Sequence, residues 1–450
     1  MGLKDFIVTP ILLVLVYSIA YLIRGNVSDQ NIKKYFIPGL TLKIIGAIAL
    51  GLIYQYYYNG GDTFSYFDNG SKYIWEAFWD SPGKALQLIL ANGENNPNTF
   101  EYASEIIYYY DQPSYFVVRI AGIFDILTFH TYSATAVLFA LLSFSGIWAM
   151  FLVFYRMFPK MHLQLAIALF FIPSVFFWGS GLLKDSITLG ALGWATYAFV
   201  QIFLFRKKFV SSIVLLLISF FCMYEVKIYI LLCFVPALMI WYYMVNMSKI
   251  KNLVLKVMIL PFTIIFLLTG GYYSIKIIGQ ENRRYNLERL SYTAESTARW
   301  LSYVSEREGG SGYTLGDFDY SLSGIIRKTP SAIWVTLFRP YMWEVKNLAM
   351  FFSALESLIL LIFTVFALVN IIIQRKIMTL FTHPVVVFCL VFSIIFAFAI
   401  GISTYNFGTL VRYKIPMMPF YIIGLCLILF QSSRKRRFIK KITRKYEFKV

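Results

Sequence analysis

Charge is what this sequence has least of. Only 14% of its 450 residues are Asp, Glu, Lys or Arg, where a soluble globular domain carries about 25%. That scarcity excludes an ordinary soluble enzyme and a disordered chain. Histidine is rare too: His130, His162 and His383 stand far apart, and no His-Glu-x-x-His zinc pattern occurs. The four cysteines (Cys222, Cys233, Cys389, Cys426) lie in apolar runs without metal or redox spacing. No Gly-x-x-x-x-Gly-Lys or Gly-x-Gly-x-x-Gly phosphate loop is present, which argues against an ATP-driven pump.

Apolar residues fill the space that charge leaves. They make up 59% of the chain, and its mean hydropathy is +0.66. This is the composition of a polytopic membrane protein. A spanning helix needs about 20 mostly apolar residues. Segments of that kind fall at 6–23, 36–55, 133–155, 163–179, 187–205, 209–224, 228–246, 253–274, 348–372, 384–403 and 415–431. The first reads as a span and not as a signal peptide. Lys4 and Asp5 cancel, the apolar run is long, and no small-residue cleavage site follows. Glu225 and Lys227 interrupt 209–246 and read as a turn outside. The expected fold is all-α: a polytopic transmembrane helix bundle of about eleven spans, forming one integral membrane domain over 1–450.

The net charge of +18 would suggest nucleic acid in a soluble protein, but here its distribution along the chain explains it. With the N-terminus outside, one side receives Arg24, Lys33, Lys34, Lys43, Arg156, Lys160, the Arg206–Lys208 run, Arg375, Lys376 and the basic tail, among others. That side holds 23 of the 41 basic residues and two of the 23 acidic ones, Asp29 and Glu447. The positive-inside rule makes it the cytoplasmic side, with N outside and C inside. No nucleic-acid partner is expected. The tail at 432–450 reads as an anchor facing anionic lipid. Two long outer segments remain, 56–132 and 275–347. Both are too long for plain connections, and both are expected to form short interfacial helices, including one at 286–306.

Four stretches can carry chemistry. Gly60-Gly61-Asp62-Thr63-Phe64-Ser65-Tyr66-Phe67-Asp68 follows the second span. Its glycines allow a sharp turn, and Asp62 then sits at the outer surface, able to take a proton from a hydroxyl or to bind a metal. The plainer alternative is a helix cap by Asp62 or Thr63. Lys184 and Asp185 close the segment Pro173 to Ser186; Lys184 can hold an anionic head group, or Asp185 can start the next helix as a cap. Arg339, among Phe338, Tyr341 and Trp343, can snorkel, pair with Glu344, or bind a lipid phosphate. Arg412 and Lys414, on a short outer loop with Tyr413 between them, break the positive-inside pattern. Either an anionic ligand or acids of the outer segments account for them. Asp317-Phe318-Asp319 matches an Asp-x-Asp pattern, but three residues in an outer segment read as loop chemistry.

These residues give the chain a resemblance to bacterial polytopic glycosyltransferases of the GT-C superfamily and to surface-polysaccharide polymerases. Gly61-Asp62-Thr63 with Tyr66 is similar to the early acidic site of that superfamily, although there the acid usually follows the first span and here the second. Arg412-Tyr413-x-x-Pro416-x-x-Pro419 resembles a late segment of such proteins, and Pro173 to Asp185 resembles segments of membrane proteins that accompany surface polysaccharides. The resemblance implies a polyprenyl-(di)phosphate-linked sugar donor and a glycan or lipid acceptor at the outer face of a bacterial cytoplasmic membrane. It casts Asp62 as the catalytic residue and Arg412, Lys414, Arg339 and Lys184 as donor-phosphate ligands. Tyr66, Asp68, Asp185, Glu344 and Tyr413 would support them. No cofactor is implied with certainty, and a divalent metal is compatible with the carboxylates. Two other classes stay open: a transporter or flippase for a lipid-linked glycan, and a non-enzymatic membrane component of an envelope machine.

Overall fold

The computed structural model describes residues 2–247, 296, 299, 303, 312–316, 322–375, 377–404 and 406–430. The expected span at 253–274, the Asp317–Asp319 pattern and the tail at 432–450 lie outside the described residues. So does the 286–306 helix, apart from residues 296, 299 and 303, which are helical. The regular elements among the described residues are all helices, with one isolated bridge, Gly312 to Asn406, and no strand. The chain divides into two compact units, 1–202 with 208–231 and 203–207 with 232–450.

The first unit contains α1 (Asp5–Gly25), α2 (Gln30–Tyr56), α3 (Asp62–Tyr66), α4 (Lys72–Asp80), α5 (Pro82–Leu90), α6 (Phe100–Ala103), α7 (Gln112–Thr128), α8 (Tyr132–Met157), α9 (His162–Phe170), α10 (Pro173–Trp178) and α11 (Lys184–Phe199), and part of α12 (Phe209–Met247). Helix α8 is its centre. It packs on α11 backbone to backbone, because Gly146, Gly190 and Gly193 face one another: a Cβ on Gly146 would stand 1.9 Å from the Gly190 carbonyl oxygen. In lipid, helices associate by such close approach of small residues. The outer surface of α1 shows the matching pattern. Phe6, Ile11, Val14, Leu15 and Leu22 are exposed, and the buried positions are Thr9, Val16 and Ala20.

Seven described helices are long and apolar enough to cross a membrane, or eight if the bent pair near the C-terminus is one span. This establishes a multi-pass membrane protein. The expected spans at 6–23, 36–55, 133–155 and 187–205 appear as α1, α2, α8 and α11 with its extension to Phe205. The one expected at 163–179 does not. It is two short helices, α9 and α10, separated at Ile172. Pro173 explains the break: its ring disfavours helical values for the preceding residue, and Ile172 is extended (φ −79°, ψ 122°). The 209–246 region forms two helical stretches that meet at Lys227, where the backbone leaves helical values.

Residues 57–131 form the expected short helices, and these share a core. Ile74, Ala77, Leu88, Tyr109, Tyr115, Val117 and Val118 pack with Leu50 of α2 and Phe139 of α8. All of this gathers at one end of the unit, where α1, α8 and α11 begin and α2 ends. Asp5 bonds Ser133, Thr63 bonds Tyr132, and Lys184 meets Asp111. The opposite end holds Arg24, Lys33, Lys34, Arg156 and Lys160, with Asp29 bonded to Tyr155 at 2.6 Å.

The second unit contains the remainder of α12 and α13 (Leu322–Phe338), α14 (Leu348–Ile373), α15 (Thr379–Thr382), α16 (Pro384–Ser403), α17 (Phe407–Tyr413) and α18 (Met418–Phe430). Helices α17 and α18 meet at 67°. Helix α14 buries Ala354, Ser357, Thr364 and Ala367 along with Met350, Leu360 and Ile371, and leaves Phe352, Ile359, Ile362 and Phe366 exposed. Four small or hydroxyl-bearing residues on the buried face against large apolar ones outside is a pattern that lipid allows. Gly401 of α16 lies against the Ala332 carbonyl of α13, and Thr336 donates to the Ala397 carbonyl at 2.8 Å.

Candidate functional site

The turn after α2 forms as its glycines require. Gly60 and Gly61 take φ of +124° and +121°, and a Cβ on Gly61 would strike the Tyr54 ring at 2.8 Å. Gly61 is the N-cap of α3, so Asp62 opens the first turn, a position where the helix dipole favours a carboxylate. Asp62 is half-buried. Thr63 is fully buried against the Tyr132 hydroxyl at 2.7 Å, and Tyr66 is buried against the Tyr108 ring. Asp68 reaches water. Partial enclosure nevertheless lifts its carboxyl above the usual carboxylate range, offset by attraction to His130 and Lys72.

Lys184 and Asp185 belong to a different arrangement from the one their sequence suggests. Asp185 caps nothing. The N-cap of α11 is Leu183, and the Asp185 side chain is buried in an ion pair with Lys227, itself 5% exposed. Lys227 sits where the backbone of α12 breaks, and its ammonium is turned inward to that carboxylate. Lys184 lies 3.9 Å from Asp111, and Glu225 lies 3.7 Å from Arg119. These three pairs join α7 to α11, α11 to α12 and α12 back to α7. The ring they close is neutral in sum, so its first role is to fasten three helices whose charges would otherwise be costly at the membrane surface. Sequence reading missed Arg119, Glu225 and Lys227 as partners because the members lie far apart in the chain.

Lys43 also differs from expectation. It is not in a cytoplasmic connection. It stands midway along α2, 0% exposed, and donates to Ser143 Oγ (3.1 Å), the Val175 carbonyl (3.2 Å) and the Gly179 carbonyl (2.8 Å). The two carbonyls end α10, where a short helix leaves acceptors without intrahelical donors. A cation there satisfies them and complements the negative end of the helix dipole.

In the second unit, Arg339 ends α13 and is held by Glu344. Its Nε donates to Oε2 at 3.1 Å and its Nη2 to Oε1, while the Tyr341 backbone N–H donates to the same carboxylate at 2.7 Å. Of the three expected outcomes for Arg339, pairing with Glu344 is the one observed. The guanidinium also lies over the rings of Phe407, Tyr313 and Tyr341, at 5.1 to 5.7 Å. Its Nη1 makes no hydrogen bond among the described residues. Beside it opens a groove of about 470 Å³, lined by Leu315, Pro330, Trp334, Val335, Arg339 and Tyr341, among others. Lys414 lies behind: it is 0% exposed and donates to Ser357 Oγ at 3.2 Å, and Ser357 donates to the Arg339 carbonyl at 3.1 Å. Arg412 and Tyr413 end α17 and are half-buried.

The structure therefore gathers Arg339, Glu344 and Lys414 in the second unit, and Asp62, Tyr66, Asp68, Lys184 and Asp185 at one end of the first. Among the described residues, no three His, Cys, Asp or Glu side chains gather as metal ligands. The chain matches no protein-family model, no curated protein and no solved structure.

Proposed function

We propose that the protein is a membrane-embedded glycosyltransferase that takes a sugar from a polyprenyl-(di)phosphate carrier, at the outer face of a bacterial cytoplasmic membrane, in surface polysaccharide or glycoconjugate assembly. The observation that carries this reading is the groove beside Arg339. Apolar and aromatic walls suit an isoprenoid chain and a sugar face. Arg339, immobilised by Glu344 and three rings, presents Nη1 to a phosphate, and Lys414 adds buried positive charge behind it. Positive charge fixed where the phosphate leaves stabilises the departing group. The resemblance casts Asp62 as the catalytic carboxylate, Arg412 and Lys184 as further donor-phosphate ligands, and Tyr413 as a supporting residue. The N-terminus is outside and the C-terminus inside, supported by the basic end of the first unit at Arg24, Lys33 and Arg156.

Native mass spectrometry of the gently solubilised protein tests the donor. A bound polyprenyl phosphate or diphosphate is expected in the wild type and is lost in Arg339→Gln. Ordinary phospholipids alone would count against this reading. In vesicles supplied with the lipid-linked sugar, Asp62→Asn is expected to abolish product while expression stays intact.

A transporter for a lipid-linked glycan is the second reading, and Lys43 favours it. A charged residue at mid-span, bonded to the end of a discontinuous helix, is a recurring feature of transporter cores. Movement of labelled lipid-linked sugar across vesicles without transfer would select it.

A further inference from the structure

The groove beside Arg339 lies wholly within the second unit, and part of its wall is an aromatic ring held in place. On α13, Ser331, Trp334 and Val335 fall on one side at helical spacing, and all three line the groove. Val335 is buried, whereas Trp334 is 46% exposed. An indole that open would ordinarily turn among rotamers. This one is fixed. Its Nε1 donates to the Tyr341 hydroxyl at 2.6 Å, and the Phe338 ring meets it edge-on at 4.8 Å. Tyr341 is held in turn: Trp343 stacks on its ring at 4.7 Å, and its backbone N–H donates to Glu344 at 2.7 Å. The same carboxylate holds Arg339. A chain of bonds therefore sets Trp334, Tyr341 and Arg339 relative to one another.

Three contacts are unused on these groove-lining residues. Arg339 Nη1 makes no hydrogen bond among the described residues. Tyr341 accepts from an indole that can only donate, so the hydroxyl's own hydrogen has no acceptor among the described residues. Trp334 offers a flat, electron-rich face. A tryptophan of the aromatic belt keeps its N–H for head groups and water. Here the N–H is spent on Tyr341, and what remains open is the ring. A sugar esterified to phosphate has three matching parts. The phosphate is an anion, the hydroxyl and ring oxygens accept hydrogen bonds, and a pyranose such as glucose or galactose turns a patch of axial C–H bonds to one side. Those hydrogens carry slight positive charge and suit an aromatic face. A single oxygen separates the sugar from phosphorus, so a phosphate on Arg339 brings the sugar to the neighbouring wall.

We propose that Trp334 is the platform on which the sugar of the lipid-linked donor stacks, that the sugar is a pyranose, and that Tyr341 both fixes the indole and donates to a sugar oxygen. This rests on the glycosyltransferase reading and deepens it. Trp334 is then a specificity-determining residue: it contacts the sugar and not the phosphate. Because the ring is set before the ligand arrives, stacking costs little side-chain entropy. The division of labour has a consequence that a structural role for Trp334 lacks. Loss of the indole weakens binding only of a lipid that carries a sugar, while loss of the guanidinium weakens binding of any lipid phosphate.

The test compares lipids of equal charge on the full-length protein in detergent, titrated by native mass spectrometry. One is polyprenyl methyl phosphate. The others are the polyprenyl phosphate esters of glucose and galactose. The wild type is expected to hold a sugar-bearing lipid about tenfold more tightly than the methyl ester. Trp334→Leu is expected to lose that preference and to hold the methyl ester as the wild type does. Tyr341→Phe is expected to reduce the preference by about threefold. Arg339→Gln is expected to weaken all three lipids alike. A wild type that holds none of them overturns the donor reading and the platform together. A wild type that holds all three equally overturns the platform alone. So does a Trp334→Leu protein that keeps the preference, or one that loses affinity for every lipid to the same degree.

Discussion

The ring of ion pairs that joins α7, α11 and α12 in the first unit and the groove region of the second use similar residues for different ends. In the first unit's ring each cation meets a carboxylate from elsewhere in the chain: Lys184 with Asp111, Lys227 with Asp185, Arg119 with Glu225. In the second, Arg339 meets Glu344 only five positions on, and Lys414 meets a hydroxyl. Pairs between helices consume both charges and fix tertiary structure. A local pair and a hydroxyl partner place Arg339 on the wall of an open groove with Lys414 behind it, where the Glu356 carboxylate acts on Lys414. The difference teaches that an unexpected cation in a membrane protein must be judged by what holds it. The same comparison can be made among three lysines, one held by a buried carboxylate, one by buried neutral acceptors and one by an exposed carboxylate.

The largest effect is expected at Lys227. Lys227→Met removes the ammonium and leaves the Asp185 carboxylate 1% exposed. Breaking a buried ion pair from one side costs about 3–5 kcal/mol, because an uncompensated charge stays behind. Thermal unfolding in detergent should show a large drop for Lys227→Met and substantial recovery in Lys227→Met with Asp185→Leu. A double variant as unstable as the single one would mean that the pair's worth lies elsewhere than in charge compensation.

How far the sequence foretold this can be argued from the same residues. Runs of apolar residues located α1, α2, α8, α11, α14 and α16, because crossing a bilayer imposes length and composition directly. The Gly60-Gly61 turn was legible because only glycine tolerates those φ values. Asp185 with Lys227 was not, since the partners are 42 positions apart and composition carries no pairing. The break between α9 and α10 was hidden because apolar composition runs straight through Ile172-Pro173, and hydropathy is blind to a backbone bend. Lys43 was hidden differently: its partners are backbone carbonyls, which every residue has. Asp125 pairs with His130 five positions on, yet nothing in that spacing shows that Ser71 and Thr135 also turn to the same carboxylate.

A smaller loss is expected at Lys43. Lys43→Met leaves neutral carbonyls at Val175 and Gly179, and Ser143 still donates to Gly179 at 2.6 Å. Leaving buried acceptors short of donors costs about 1–3 kcal/mol. The melting temperature should therefore fall less than in Lys227→Met. An equal or larger fall would show that the end of α10 depends on a positive charge and not merely on a donor, which would strengthen the transporter reading.

The smallest effect is expected at Lys84. It lies in α5 and pairs with Asp80, four residues back at the end of α4, and Tyr102 joins the same carboxylate at 3.2 Å. The Lys84 hydrogen bond holds the Asp80 carboxyl below the usual range, and Asp80 in turn raises the ammonium. By linkage, the carboxyl's contribution exists above its unfolded value and fades as pH falls through the folded one. The ammonium's contribution exists below its unfolded value and fades as pH rises through the folded one. Between those limits both groups remain in water, where solvent screens the attraction and holding two long side chains together costs entropy. Lys84→Met at neutral pH should leave the melting temperature within error of the wild type, in low salt and in high. The geometry of this pair is as close as that of Lys227 with Asp185, so burial is the variable that separates them. A loss at Lys84 matching the loss at Lys227 would remove burial as the reason the interhelical pairs count.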